Sequence, residues 1–277
     1  MTETKDKKVY SVEIIHPFPK KVHVHYALFD FDGTLSLIRE GWQAIMIPMM
    51  TEILMQTPKH EDESTITQIV KEYVTRLTGK QTIFQMMQLA EEVEKRGGKP
   101  LDALEYKNEY HRRLLERIQY RLDGLRSGKY KPEDFQVPGT MKILKIMQDH
   151  DVKCYLASGT DEKYVMDEVN LLGITPYFAG VYGAQDDYKA FSKKMVIERI
   201  IRENKLSGPE FAGFGDGFVE IEDTKSANGI AVGAATNEAA RSGIDDWKRS
   251  RLIQAGADAI IPDFSVSDQL VPLLFSD

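Results

Sequence analysis

A single cysteine, Cys154, stands among the 277 residues. It cannot close a disulfide within the chain, so the fold must rest on apolar burial, and a lone thiol suits a reducing compartment. No apolar run reaches the roughly 20 residues that a membrane-spanning helix needs. The nearest, GWQAIMIPMMTEILM over 41–55, is interrupted by Gln43, Pro48, Thr51 and Glu52. The opening MTETKDKKVYSVEII mixes acids with bases and has no hydrophobic stretch of the secretory kind. Basic residues are in deficit: 36 Lys and Arg against 43 Asp and Glu give a formal charge of −7. That balance argues against wholesale binding to nucleic acid or to an anionic membrane. Repeats of 20–50 residues and low-complexity tracts are also missing. What remains is an ordinary globular composition, 42% hydrophobic and 29% charged, with enough apolar material to exclude disorder as the dominant state. The expectation is a soluble cytoplasmic protein with neither nucleic acid nor membrane as a partner.

Two textures alternate along the chain. VHYALFD over 24–30 is a short β-rich run ending in the turn Asp32-Gly33. From about 37 to 128 the apolar pattern is helical. Its stripes are Ile38, Trp42, Ile45, Met49 and Ile53, with Pro48 expected to kink or restart that helix; Ile66, Ile69, Val70, Tyr73 and Leu77; Ile83, Met86, Met87, Ala90 and Val93; and Leu104, His111, Leu115, Ile118, Leu122 and Leu125. After Pro138 short apolar runs return at 152–158, 178–183, 211–216, 229–234 and 258–263. Helix-like segments near 139–150, 161–172, 193–204 and 235–254 separate them. Strands alternating with helices of that length imply βαβ crossovers and a parallel sheet. The expected architecture is therefore an α/β Rossmann-like three-layer core, split after its first strand by an all-helical insertion. The expected boundaries are 1–36 for the N-terminal extension and first strand, 37–136 for the helical part, and 137–277 for the rest of the core.

Ligands of such sheets bind where the strands end at their carboxyl side, and polar residues gather at those ends. The first strand closes on Asp30-Phe31-Asp32-Gly33-Thr34 and the second on Ser158-Gly159-Thr160, where a hydroxyl and free N–H groups at a helix start suit an anion. Phe191-Ser192-Lys193-Lys194 opens a helix with lysines that oppose its dipole, a placement that makes sense if one reaches a bound anion. Gly215-Asp216-Gly217 exposes a carboxylate on a sharp turn, with Glu220 one helical turn beyond. Each feature alone also fits a plain turn or cap. Together, Asp30, Asp32 and Asp216 would crowd three carboxylates, and two unit charges about 5 Å apart repel by roughly 3 kcal/mol at an effective dielectric near 20. A hard divalent cation resolves this, and all-oxygen ligands in an open site favour Mg²⁺. Metal, anion cradle, lysine and carboxylate nucleophile together describe phosphoryl transfer.

The ordered set DFDGT, strand-terminal Ser158, helix-initial Lys193 and GDxxxE resembles the haloacid dehalogenase superfamily over residues 26 to about 263. The resemblance implies a Rossmannoid core with a helical cap. It implies Asp30 as nucleophile forming an aspartyl-phosphate and Asp32 as general acid, then base. Gly33, Thr34, Ser158, Gly159 and Lys193 would bind the phosphoryl group. Mg²⁺ would be held by the Asp30 carboxylate, the Asp32 carbonyl and Asp216, with Glu220 acting through water. Asp32 looks like the phosphatase and phosphomutase branches, and unlike the dehalogenases and phosphonatases. Glu220 stands where aspartate is commoner. Lys193 precedes the apolar pair Val196-Ile197 as the motif lysine does, with Lys194 as the alternative.

The resulting expectation is a Mg²⁺-dependent phosphatase acting on a small phosphorylated metabolite; the alternative is a sugar-phosphate phosphomutase with the same aspartyl-phosphate chemistry. A regulatory module without turnover is opposed by the complete set of site residues. Specificity is expected in the cap, where the break Thr78-Gly79-Lys80-Gln81-Thr82 offers Lys80 and Gln81 as donors, supported by Arg76 one turn earlier, unless it is a plain interhelical loop. Gly79-Lys80-Gln81 is not a phosphate loop, because Val74 and Gln81 break that pattern, and Ser158 lacks a nucleophile elbow's preceding glycine. His23 and His25 have no cysteine or third histidine near in sequence, and Cys154 reads as a core thiol.

Overall fold

The computed structural model describes residues 11–185, 187–189 and 191–276. Nine strands occur among them: β1 Glu13–Ile14, β2 Val22–His23, β3 Tyr26–Phe29, β4 Lys153–Asp161, β5 Phe178–Ala184, β6 Phe211–Gly215, β7 Ile230–Ala234, β8 Ala259–Ile261 and β9 Phe275–Ser276. Seven form one sheet in the order β1-β8-β7-β6-β3-β4-β5. All its neighbours run parallel except the antiparallel edge pair β1 and β8. β2 and β9 make a small separate ribbon. The interior strand β3 carries Ala27 and Phe29 on one face and Leu28 on the other, as a strand buried on both faces must.

The helices are α1 Gln43–Met55, α2 Glu63–Leu77, α3 Thr82–Lys95, α4 Ala103–Arg126, α5 Thr140–Asp149, α6 Glu162–Leu171, α7 Lys193–Asn204, α8 Phe218–Ser226, α9 Asp246–Gln254 and α10 Ser267–Leu274. Ile143 and Met147 of α5, Val165 of α6 and Leu270 of α10 pack on the Phe29 face. Val196, Ile197 and Ile200 of α7 pack with Leu28, while Ile221 of α8 and Leu252 of α9 pack with Ala231 and Ile260. This is the three-layer α/β arrangement expected. None of the described helices is long and apolar enough to cross a membrane.

Helices α1 to α4 all fall between β3 and β4 and form the helical insertion. Their buried faces follow the 3.6-residue period, with local corrections. In α1 the buried residues are Met46, Met49, Met50, Thr51 and Leu54, one step round from the expected Ile45 and Ile53, which are half-buried. Pro48 lies inside α1 without ending it, because its ring sits on the exposed side of a helix whose apolar face is held by α2. Leu104 is exposed at the start of α4, and Tyr106, Tyr110 and Leu114 take the buried positions. A further correction concerns 235–254: only Asp246–Gln254 is helical. The stretch 235–245 is instead an excursion closed by Asp245 N–H donating to the Ala235 carbonyl and by a bridge between Thr236 and Ile244. The insertion is tied to the core by ion pairs from α4: Lys107 Nζ lies 2.7 Å from Asp161 Oδ1 at the end of β4, and Arg126 Nη2 2.5 Å from Asp167 Oδ2 of α6.

Candidate active site

Parallel pairing places the carboxyl ends of β3, β4 and β6 side by side, since Phe29 is opposite Leu156 and Phe214. The segments that leave these ends converge on one cleft of about 750 Å³ of empty space, its open mouth included, between core and insertion. Asp30, Asp32, Gly33, Ser158, Gly159, Lys193 and Asp216 line it from the core, and Thr78, Gly79, Lys80, Trp42 and Tyr110 from the insertion.

Asp30 is buried, and Lys193 Nζ lies 2.6 Å from its Oδ1 and 2.8 Å from Glu220 Oε2. Ser192 caps α7 by accepting the Met195 N–H, which fixes the helix start and so the direction of Lys193. Lys194, the alternative, is exposed and faces Glu198 at 3.9 Å. Burial opposes the Lys193 ammonium, but Asp30 and Glu220 more than offset it and hold its pKa above the ordinary lysine value. Burial, with repulsion from Glu220 and Asp216, pushes the Asp30 carboxyl upward against the pull of Lys193.

Asp32 follows a different pattern. Its Oδ2 accepts hydrogen bonds from Thr160 Oγ1 at 2.8 Å and Ser158 Oγ at 3.2 Å, while its Oδ1 is buried without a hydrogen-bond partner. Arg39 Nε stands 3.8 Å from that oxygen and is itself held by Glu168 through three short contacts. Gly33 has a φ of +76°, the left-handed region, and a Cβ there would sit 2.3 Å from Asp216 Oδ2, so only glycine serves.

Asp30, Asp216 and Glu220 each present a carboxylate oxygen within 4.8 Å of the others. Among the described residues this is the one cluster able to hold a cation. Five carboxylates (Asp30, Asp32, Asp216, Glu220 and Glu238) face two lysines, Lys193 and Lys248, with Arg39 and Glu168 cancelling. Ionised, the set keeps three excess negative charges, and its all-oxygen donors fit a hard dication of the Mg²⁺ type.

Some expected residues lie elsewhere. Arg76 donates to Gln88 on the exposed side of the insertion and is not part of the cleft; one helical turn from Lys80 carries it round α2 because the chain leaves the helix at Thr78. Gln81 is buried but turned away, its amide donating to the carbonyls of Tyr188 at 3.2 Å and Phe191 at 2.7 Å. The Thr34 hydroxyl accepts the Asp216 N–H at 3.0 Å and donates to Asp30 Oδ2 at 3.5 Å, so it braces the two acidic turns and does not line the cleft. Lys80 is exposed at the cleft rim. The His23 and His25 rings lie 4.7 Å apart with their planes tilted by 41°, outside the acidic cluster, and Cys154 is buried in β4.

Sequence reasoning missed Lys248 and Glu238, Arg39 and Glu168, and Thr160. Thr160 was within reach, two residues past Ser158 on the same strand. Lys248 lies 32 residues from its partner Asp216, in the segment 235–254 that reads only as helix-like.

A family model for haloacid dehalogenase-like hydrolases matches residues 24–228. The chain belongs to that family. The match spans the helical insertion and the turns that carry Asp30, Asp32 and Asp216. No curated protein sequence matches the chain. Among solved structures it is similar to a predicted phosphoglycolate phosphatase from Haemophilus somnus (TM-score 0.59, 15% identity, 90% of this chain and 98% of that one). It is also similar to a predicted phosphatase from Clostridium acetobutylicum (0.57, 16%, 90% and 98%) and to a β-phosphoglucomutase from Clostridium difficile (0.54, 15%, 87% and 92%). At such identities the likeness is one of fold.

Proposed function

We propose that this hydrolase is a Mg²⁺-dependent phosphatase that cleaves a small phosphorylated metabolite through an aspartyl-phosphate. The observation that carries the reading is the meeting of Asp30, Asp32, Ser158, Lys193 and Asp216 from four separate segments in one cleft. Asp30 is the nucleophile: its carboxylate oxygen bonds to phosphorus as the bond from phosphorus to the ester oxygen breaks. Asp32 gives its proton to that leaving oxygen, while Ser158 and Thr160 orient the carboxyl through Oδ2. In the second half Asp32 takes a proton from water, whose oxygen attacks phosphorus and releases Asp30 and inorganic phosphate. Ser158, the Gly159 amide and Lys193 hold the phosphoryl oxygens. Asp30, the Asp32 carbonyl and Asp216, with Glu220 behind them, would hold Mg²⁺, which neutralises phosphoryl charge.

Residues 37–136 act as a cap over the cleft, with an N-terminal extension and the first core strand before it in 1–36 and the rest of the core after it in 137–277. The similar folds named for phosphatases and a phosphomutase sit well with phosphoester chemistry here. The test is phosphate release from a panel of phosphorylated sugars, nucleotides and glycolytic acids, with magnesium chloride or with excess chelator. Turnover of at least one compound with magnesium, and its loss in chelator, is expected. Full activity in chelator would overturn the metal assignment, and no hydrolysis across the panel would overturn the phosphatase reading. With a hexose 1-phosphate, an isomer in place of inorganic phosphate would indicate a mutase.

A further inference from the structure

A second lysine–carboxylate bridge stands beside the first. Lys248 Nζ lies 2.6 Å from Asp216 Oδ2 and 2.6 Å from Glu238 Oε1, mirroring the way Lys193 joins Asp30 to Glu220. The Lys248 side chain is about nine-tenths buried, and Glu238 lines the cleft beside Asp216 and Gly33. Neither residue belongs to the acidic triad that can hold a cation.

The backbone that delivers this bridge is itself fixed. The excursion 235–245 is closed by the Thr236–Ile244 bridge and the Asp245-to-Ala235 hydrogen bond. Asp245 then caps α9 by accepting the N–H groups of Trp247 and Lys248, each at 3.0 Å, which sets where Lys248 departs. On the other side, the Asp216 N–H is held by Thr34 Oγ1. Asp216 is thus braced at its backbone from the first acidic turn and at one carboxylate oxygen from α9. A fixed ammonium beside a cation site is repulsive by itself. Its presence is accounted for if it sets the orientation of Asp216, with Glu238 compensating the charge.

We infer that Lys248 and Glu238 are positioning residues that orient the Asp216 carboxylate for the metal. The inference rests on reading the acidic cluster as a Mg²⁺ site. It is tested by titrating the metal-free full chain calorimetrically with magnesium chloride alone, in wild type and in the double variant Lys248→Met with Glu238→Gln. The exchange removes one positive and one negative charge, so the local net charge is unchanged, and Asp216 keeps its own charge while losing the ammonium that holds it. If the pair only contributes field, affinity stays the same. If it orients Asp216, affinity falls by about tenfold or more, the range seen when groups behind a metal ligand are lost. That loss, with thermal midpoints in chelator matched to wild type, is the expected result; a smaller loss overturns the inference. Should the methionine variant not fold, Lys248→Gln with Glu238→Gln replaces it under the same threshold. Absence of magnesium binding by wild type would instead overturn the reading of the acidic cluster, which separates the two failures.

Discussion

Adding one methyl group to Gly159 tests whether the loop between α2 and α3 seats against the anion cradle during turnover. Gly159 follows Ser158 on β4 and is outside the left-handed region, so alanine is tolerated by its own backbone. The added carbon would lie 2.9 Å from the Lys80 carbonyl oxygen, 3.3 Å from its carbon and 3.4 Å from Gln81 Cα. Ordinary contact begins near 3.4 Å, so this backbone must retreat by about half an ångström. It cannot do so freely, because Gln81 is fastened to the carbonyls of Tyr188 and Phe191. A displacement of 1 Å can cost about 10²-fold in rate, so half that shift should lower kcat/KM by about tenfold for the best metabolite of the panel. Acetyl phosphate, too short to reach Lys80, should lose less than about threefold, because the methyl leaves the Gly159 N–H in place. Steady-state kinetics on both substrates decides the matter. Equal losses would place the damage in the anion cradle, and no loss would mean that the loop is not seated there in the working enzyme.

Asp30→Asn should fold normally yet abolish turnover, since an amide is neither a nucleophile nor an adequate metal ligand; retention of a tenth of wild-type phosphate release would refute the nucleophile assignment. Lys80→Ala should lower kcat/KM for the metabolite by about tenfold or more, as charged hydrogen bonds contribute roughly 1.5–3 kcal/mol, and leave acetyl phosphate nearly unchanged; equal effects on both would remove Lys80 from substrate binding. His111 is buried beside Asp161 and Tyr164, and burial, reinforced by Arg39, Lys107 and Lys163, depresses its pKa to about 3. An unfolded imidazole titrates near 6.5, so below that pH the unfolded chain binds a proton that the fold refuses, and stability falls by about 2 kcal/mol between pH 8 and pH 5. His111→Phe should remove that much of the wild-type pH dependence in denaturant melts, and identical pH differences in the two proteins would refute the coupling.

The layer arrangement was legible because its signals are local. Alternating short apolar runs and helical stripes repeat often enough that tertiary context could shift edges without changing the class. Cys154 to Ala157 and Phe211 to Gly215 read as strands and are strands. Where the pattern was thin, context decided. Pro48 reads as a break, yet a helix packed by Met46, Met49 and Met50 bears the loss of one hydrogen bond. The residues over 235–245 look helix-compatible one by one, but Asn237, Arg241 at φ +51° and Gly243 at φ +84° fold them into a closed excursion. The two-residue strands β1, β2 and β9 are too short to leave a period at all.

The same distinction separates the legible half of the site from the rest. The carboxylates sit on turns that follow strands, where a glycine beside an acid marks the position, so Asp30, Asp32 and Asp216 announce themselves. Two of their cations come from afar: Lys193 is 163 residues from Asp30 and Lys248 is 32 from Asp216, while Arg39, near Asp32 in sequence, is held by Glu168 across 129. A lysine in the first turn of a helix reads the same whether it is solvated or buried against two carboxylates. Only the three-dimensional path distinguishes Lys193 from its exposed neighbour Lys194, or Lys248 from the charged residues around it. The excess of negative charge was foreseeable, but its apportioning was not, and that apportioning fixes which carboxylate oxygens are engaged by lysine and which are left to a metal or a proton. Asp32 shows the consequence: two hydroxyls occupy Oδ2, and Oδ1 is kept without a donor in a cleft where every lysine Nζ that bonds a carboxylate is committed to another acid.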